Sequence, residues 1–161
     1  MLSVRPFGSD DAEAIWLMLQ PILSAGEVYA LPAGWNREQG LAYWLAPAHE
    51  VFVAEDRGRL VGSYYLRANQ LGGGAHVANC GYLTAVAERG RGVARAMCAH
   101  SLERARERGF RAMQFNFVVS SNDRAIRLWQ SFGFEVVGRL PQVFLHPQLG
   151  YVDALVMFRR L

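Results

Sequence analysis

The chain has 161 residues, 52% of them hydrophobic and 19% charged, which suffices for one domain with a buried core and excludes an intrinsically disordered chain. Its 17 basic and 14 acidic side chains are interspersed and leave a formal charge of +3, too modest an excess for a nucleic-acid binder. No apolar run reaches bilayer-spanning length, Met1-Leu2-Ser3-Val4-Arg5 lacks a signal-peptide core, and Cys80 and Cys98 show neither C-x-x-C nor zinc spacing, so the expectation is a soluble, cytoplasmic, metal-free single domain over 1–161 with two inert thiols and no membrane or nucleic-acid partner.

Leu2 to Phe7 has strand character, and Ser9-Asp10-Asp11 with Glu13 predicts a helix start leading into Ala14, Ile15, Leu17 and Met18, bent or ended at Pro21. Gly26 to Trp35 reads as a loop, yet it carries Tyr29 and Trp35 and is a candidate pocket wall. Asn36 with Gln39 is a second capping signal, for a short helix through Leu41, Tyr43, Trp44 and Leu45 that stops at Pro47. Val51 to Ala54 and Leu60 to Leu66 predict two strands joined by a hairpin turn at Asp56-Arg57-Gly58-Arg59. A strand over His76 to Thr84, a helix from Val93 ended by Gly109, a strand over Ala112 to Val119 and a helix over Ala125 to Phe132 follow. The last two strands are read as Phe134 to Leu140 and Val152 to Arg159, with His146 in a loop and without a catalytic role. This order implies an α/β sheet with helices packed on its faces.

The most informative run is Arg89-Gly90-Arg91-Gly92-Val93-Ala94, set between a strand and a helix start. Glycines let backbone approach a ligand closely, and the first N–H groups of a helix have no internal partner, so the run is a candidate phosphate or diphosphate site. A dinucleotide fingerprint would need a small residue where Arg95 stands, and a Walker loop would need Gly-Lys followed by Ser or Thr. Neither is present. What remains is R-x-x-G-x-A, which resembles the pyrophosphate-binding motif of the GNAT family of N-acetyltransferases. About thirty residues on, Asn122 to Phe134 carries N-x-x-A-x-x-L-[aromatic]-x-x-x-G-F, which on its own is a capped core helix and beside the first motif resembles the second acetyl-CoA motif of that family. Further stretches, including Gly26-Glu27-Val28-Tyr29, His76-Val77-Ala78-Asn79, Gln114-Phe115-Asn116 and Gly150-Tyr151-Val152-Asp153-Ala154, are similar to the GNAT subgroup of azetidine-2-carboxylate acetyltransferases.

The resemblance implies a central mixed, mostly antiparallel twisted sheet, splayed between strands 4 and 5, with helices on both faces. It implies acetyl-CoA as cosubstrate, no metal, and a small-molecule amine or amino acid as acceptor, including a proline-like secondary amine. It leaves a homodimer open as the assembly. Leu83, Thr84 and Ala85 would offer backbone groups to the pantetheine and thioester, a backbone N–H near Leu83 or Thr84 would donate to the acetyl carbonyl, and Arg89, Gly90, Arg91, Gly92, Val93 and Ala94 would hold the diphosphate. Many family members place a tyrosine where this chain has Trp129, an indole that donates a hydrogen bond without acting as an acid. Asn122 and Asn116 are therefore the candidate donors toward sulfur or substrate, with Thr84 beside them. Asn122 also reads as a plain helix cap, and Asn116 is expected to find an amide partner. Asn79, Tyr29 and Glu27 are the candidate acceptor-side residues, and Glu27 and His76 the candidate bases. A protein N-terminal acetyltransferase and a non-catalytic acyl-CoA-binding module stay open as alternatives.

Overall fold

Largely apolar runs on either side of Asp56–Arg59, with consecutive residues buried on both faces of the sheet, form β2 (Glu50–Asp56) and β3 (Arg59–Ala68), closed by a turn in which Arg57 and Gly58 both take positive φ, 50° and 78°. That left-handed pair is the turn whose twist matches a two-residue hairpin. β1 (Leu2–Pro6) lies outside β2, and β4 (Val77–Thr84) runs antiparallel to β3 on the other side. The computed structural model describes residues 1–161, with β5 (Ala112–Val119), β6 (Glu135–His146) and β7 (Gly150–Arg160) completing a seven-stranded sheet in the order β1-β2-β3-β4-β5-β7-β6.

All neighbours are antiparallel except β4 and β5, which are parallel and share only two register pairs, Val77↔Ala112 and Ala78↔Met113. Beyond Ala78 the two strands diverge, so the sheet is open at its centre. A register shift in β5 between Phe115 and Val118 turns both of those side chains to one face and leaves Asn116 and Phe117 between them, widening the splay.

The helices cover both faces. α1 (Ala12–Ala25) and α2 (Arg37–Trp44) bury Ile15, Leu19, Leu23 and Trp44 against Val53, Tyr65 and Leu83, while α3 (Val93–Glu107) and α4 (Asp123–Ser131) bury Met97, Leu102 and Trp129 against Tyr64, Cys80, Phe115 and Leu155. Trp44 is fully buried, and its indole N–H donates to Ser63 Oγ at 3.0 Å, which satisfies the one polar atom it takes into the core. The Asn36–Gln39 pair forms a reciprocal capping box at the start of α2, as the sequence predicts.

Two expectations need correction. α1 does not end at Pro21 but continues to Ala25. The carbonyl that Pro21 leaves without its helical donor is that of Leu17 four residues back, and Leu17 is exposed, so water can satisfy it while Met18, Leu19, Ile22 and Leu23 hold both turns to the sheet. β6 does not stop at Leu140: it runs on to His146, past a register shift between Leu140 and Phe144. Pro141 is tolerated because β6 is the sheet's edge strand and the irregularity removes it from the ladder; Gln142, at φ 49°, gives its N–H to Asp153 Oδ1 at 2.8 Å. No helix is long and apolar enough to cross a membrane.

Candidate active site

The splay opens into a cleft of about 1000 Å³ that passes from the α3/α4 face of the sheet to the α1/α2 face. On the first face its wall begins with the anion loop. Gly90 and Gly92 take φ of 79° and 82°, a left-handed geometry that glycine adopts without steric cost. Between them they turn the chain so that no backbone N–H from Gly90 through Arg95 has a backbone acceptor; the first helical bond is Ala96 N–H to Gly92 O at 3.0 Å. Consecutive free N–H groups at the N-terminus of a 15-residue helix form a concave donor array that suits an anion.

Charge around this loop is arranged by Glu88, which is buried and takes Arg59 at 3.1 Å and Arg91 at 3.5 Å. Arg91 is thus drawn aside and does not line the cleft, whereas Arg89, Gly90, Gly92, Val93 and Ala94 do. Arg95, Arg124 and Arg127 line the same side. Four guanidinium groups therefore border the donor array.

At the splay the alternation of β4 decides which backbone groups are free. Ala85 N–H bonds Val61 O at 2.9 Å and Asn69 N–H bonds Val77 O at 2.8 Å, so the odd-numbered residues of this unbroken register face β3. Tyr82 and Thr84 then turn their N–H and C=O groups into the gap. This redistributes the expected set: Thr84 is at the gap, but the backbone of Leu83 and the N–H of Ala85 are committed to β3, and neither residue lines the cleft. Tyr82 takes their place.

Asn122 caps α4 through Oδ1, which accepts Ala125 N–H at 3.3 Å, and its Nδ2 has no protein acceptor. Trp129 packs in the same wall, 4.8 Å from the Tyr82 ring and 5.0 Å from that of Phe115. Its N–H makes no protein hydrogen bond, and since no buried polar side-chain atom of the chain lacks a partner, that N–H is accessible. Asn116 is different: it is exposed on the β5 bulge, with Nδ2 donating to Asn69 Oδ1 at 2.6 Å and Oδ1 accepting from Gln114 Nε2 at 2.8 Å. Its partners are found, each using one hydrogen-bonding position of the amide, and the residue lines the cleft.

Asn79 sits one residue beyond the last β4–β5 pair, and its Nδ2 donates to Gln114 O at 2.9 Å. The side chain bridges the strands where their backbones part. Cys80 is buried and faces the α3/α4 core, and burial pushes its thiol well above its usual range; Cys98 is pushed up to about 12 by the same cause. Neither is a nucleophile. His76 stands exposed at the far end of β4 beside Arg111 and Arg160, away from the cleft, so it is not a base for this site.

On the α1/α2 face the cleft is aromatic. Gly26, left-handed at φ 65°, ends α1 and directs Glu27, Val28, Tyr29 and Leu31 across the mouth of the splay. Tyr43 and Tyr65 share a hydroxyl hydrogen bond of 3.1 Å, and His49 stacks on Tyr65 with centroids 3.9 Å apart. Burial raises the pKa of Tyr29 and Tyr65, with the Tyr43 phenol adding to both shifts, so these hydroxyls stay protonated. The backbone N–H of Tyr82, one of the two groups facing the gap, acts on the Tyr29 hydroxyl in the opposite sense. His146 closes the wall from the end of β6: its Nδ1 accepts Gln148 and Leu149 N–H, both at 3.2 Å, which leaves the ring proton on Nε2.

The model of the Acetyltransferase (GNAT) family matches residues 16–134, from within α1 to the residue before β6. The chain belongs to the GNAT family. A GCN5-related N-acetyltransferase from Kribbella flavida has the same fold at TM-score 0.95 and 43% identity, over 99% of this chain and 98% of that one. The yncA acetyltransferase of Salmonella typhimurium, solved with its cofactor acetyl-CoA, shares the fold at TM-score 0.87 and 22% identity, over 100% of this chain and 94% of that one. The N-acetyltransferase aca1 of Schizosaccharomyces pombe is 33% identical over 98 residues, 60% of this chain. That match takes in 47% of aca1, so the chain spans about half the length of that relative.

Within this GNAT site, the sequence reading placed the anion loop, Asn116, Asn122, Trp129, Thr84, Asn79, Glu27 and Tyr29, and all of these except Arg91 of the loop line one cleft. It missed Tyr43, Tyr65, Tyr82, Glu88 and His146. Tyr65 and Gly81 carried a readable signal, a large residue facing a glycine across two adjacent predicted strands. His146 carried none, since its role depends on β6 continuing through Pro141.

Proposed function

We propose that the chain is a single-domain, acetyl-CoA-dependent N-acetyltransferase that acts on a small-molecule amine by direct transfer. The observation that carries this reading is the cleft itself: an anion-suited N–H array at one mouth, free backbone donors at the splay, and an aromatic pocket at the other mouth. The anion loop would take the diphosphate, and Tyr82 and Thr84 would offer the pantetheine the strand edge that β5 does not use. Acetyl-CoA supplies an activated acyl group. The amine nitrogen attacks the thioester carbon, the C–N bond forms, the C–S bond breaks with its electron pair on sulfur, and the proton shed by nitrogen reaches sulfur through solvent. The Tyr82 or Thr84 N–H stabilises the carbonyl oxygen as it gains charge. Asn122 Nδ2 and the Trp129 N–H donate toward the departing sulfur, in place of the tyrosine of other family members. Free thiols at Cys80 and Cys98 fit a reducing, cytoplasmic setting.

The subgroup resemblance points to proline-like acceptors such as azetidine-2-carboxylate. A second reading, an acyl-CoA-binding module without turnover, is favoured by Trp129 in the tyrosine position. Calorimetric acetyl-CoA binding together with coenzyme A release over a panel of amines separates the readings. Binding with release supports the transferase, binding without release from any amine supports the module, and absence of binding removes both.

A further inference from the structure

The two mouths of the cleft differ in charge. Every arginine that lines it, Arg89, Arg95, Arg124 and Arg127, belongs to the anion loop, the first turn of α3 or α4. The chain contains no lysine at all, its 17 basic residues being arginines. On the α1/α2 side the lining includes Tyr29, Tyr43, Tyr65, Asn79, His146 and aliphatic side chains, and Glu27 is its one carboxylate. Glu88, the other carboxylate on the cleft, is held by Arg59 and Arg91 at the opposite mouth. Arg67 shares the α1/α2 face of β3, but its Nε donates to the Ala68 carbonyl at 3.2 Å and the side chain does not line the cleft.

An acceptor amino acid would bring its carboxylate into this pocket. There the lining offers it no arginine, only phenols, an Asn79 amide with one donor spent on Gln114 O, and the Glu27 carboxylate, with Arg67 standing outside the lining beside His49. A desolvated carboxylate without a counter-charge is strongly disfavoured, and like charge makes it worse. A carboxylate-free amine meets the reverse: Glu27 attracts its ammonium form at the mouth, tyrosine faces stabilise the cation, and apolar walls accept its body. Loss of water deeper in the pocket then favours the neutral, nucleophilic form.

We propose that the acceptor is an amine with an apolar or aromatic body and no carboxylate beside its nitrogen, and that Glu27 is the residue that selects it. This rests on the N-acetyltransferase reading above and departs from the proline-like acceptors of the resembling subgroup. Asn79 is a strut between β4 and β5, not a carboxylate ligand. His146 Nε2–H supplies a neutral donor at the wall, suited to a hydroxyl or ether on the acceptor.

Matched pairs test this directly: phenethylamine against phenylalanine, pyrrolidine against proline, azetidine against azetidine-2-carboxylate, each assayed by coenzyme A release on the intact protein. The expected result is a kcat/KM at least ten-fold higher for the carboxylate-free member of each pair, with phenethylamine the best of the set. Equal or better use of the carboxylate-bearing members overturns the inference while leaving the transferase reading intact. No release from any member despite acetyl-CoA binding overturns both. Glu27 is tested by charge reversal: E27R should shift the pairwise ratio at least ten-fold toward the carboxylate-bearing member with acetyl-CoA affinity unchanged, and E27Q should raise KM for phenethylamine with kcat retained. An unchanged ratio in E27R removes Glu27 from selection.

Discussion

The ring of Tyr65 lies on the backbone of Gly81, its register partner on β4, so closely that a Cβ at Gly81 would stand 2.7 Å from the Tyr65 hydroxyl oxygen and closer still to the ring. The absent side chain is what lets a tyrosine of β3 reach across β4 to the splay and meet Tyr43. Gly81→Ala should force the ring off this surface, at about 1–3 kcal/mol as for other overpacked core sites. We expect a lower Tm and a loss of amine kcat/KM larger than any loss of acetyl-CoA affinity. Unfolding scans with calorimetry check this, and an unaltered kcat/KM would separate Tyr65 from the acceptor pocket.

Gly92 is constrained differently. A Cβ there meets nothing within 4 Å, yet the residue sits at φ 82°. Gly92→Val therefore brings backbone strain of roughly 1–2 kcal/mol without a clash, and relieving that strain rotates the N–H groups of Gly92 and Val93 out of the donor array. Acetyl-CoA should bind at least ten-fold more weakly, with Tm lowered by only the few degrees that this strain brings. Wild-type affinity in this variant would move the diphosphate away from the loop.

Asn122 presents two separable groups, Oδ1 as the cap of α4 and Nδ2 without a protein acceptor. Asn122→Ala removes both the cap, at about 0.5–2 kcal/mol, and the free Nδ2. Asn122→Asp keeps an oxygen for the Ala125 N–H and replaces the donor by an acceptor. If Nδ2 serves the reaction, the aspartate variant should hold its Tm and lose kcat as fully as the alanine variant, with acetyl-CoA affinity retained in both. A fully active Asn122→Asp would reduce Asn122 to a cap.

Where local chemistry determines structure, the sequence was enough. Ala112–Val119 was legible as a strand from its alternation and flanks, Asn36 and Asn122 as caps from their oxygens, and Gly109 as a helix stop because glycine accepts the left-handed geometry it takes here, φ 82°. Prolines misled the reading because their cost depends on tertiary surroundings. Pro21 leaves an orphan carbonyl only on the solvent side of α1, and Pro141 falls in an edge-strand irregularity that Asp153 fastens by accepting Gln142 N–H and the Arg139 guanidinium at 2.7 Å. The site divided along the same line. Its anion loop is contiguous and readable, whereas the acceptor pocket joins residues 27, 43, 65 and 146 through packing. The parity of β4, which exchanges Leu83 for Tyr82, needs a register that no single strand displays.

Acid should destabilise the fold in two windows. His49 and His100 have pKa values lowered from the ordinary 6.5, first by burial, so the neutral rings fold better than charged ones. Their contribution is intact above that value and is lost as pH falls below it. Asp11, bound by Arg5 at 2.8 Å and by the Gly8 N–H, and Glu50, bound by Arg104, are lowered chiefly by those guanidinium groups, so their contribution is present above the ordinary carboxylate range and lost as pH falls through the depressed values. Tm should therefore decline first below pH 6.5 and again in the carboxylate range. His49→Gln with His100→Gln should flatten the first decline and leave the second. A single decline in the wild-type protein would contradict the burial of the two rings.

His146 offers the sharpest division between structure and chemistry because its two nitrogens face different partners. Nδ1 fastens the β6–β7 turn through the Gln148 and Leu149 N–H groups, and Nε2–H belongs to the cleft wall. Asparagine places an amide atom near the Nδ1 position and glutamine near Nε2. His146→Asn should keep the turn, and with it Tm, while amine KM rises; His146→Gln should lower Tm and keep KM closer to wild type. Both effects follow from which atom is retained, so a general loosening of the hairpin cannot produce the crossed pattern. Parallel losses of Tm and kcat/KM in both variants would leave His146 with the turn alone and return the acceptor pocket to the tyrosines and Glu27.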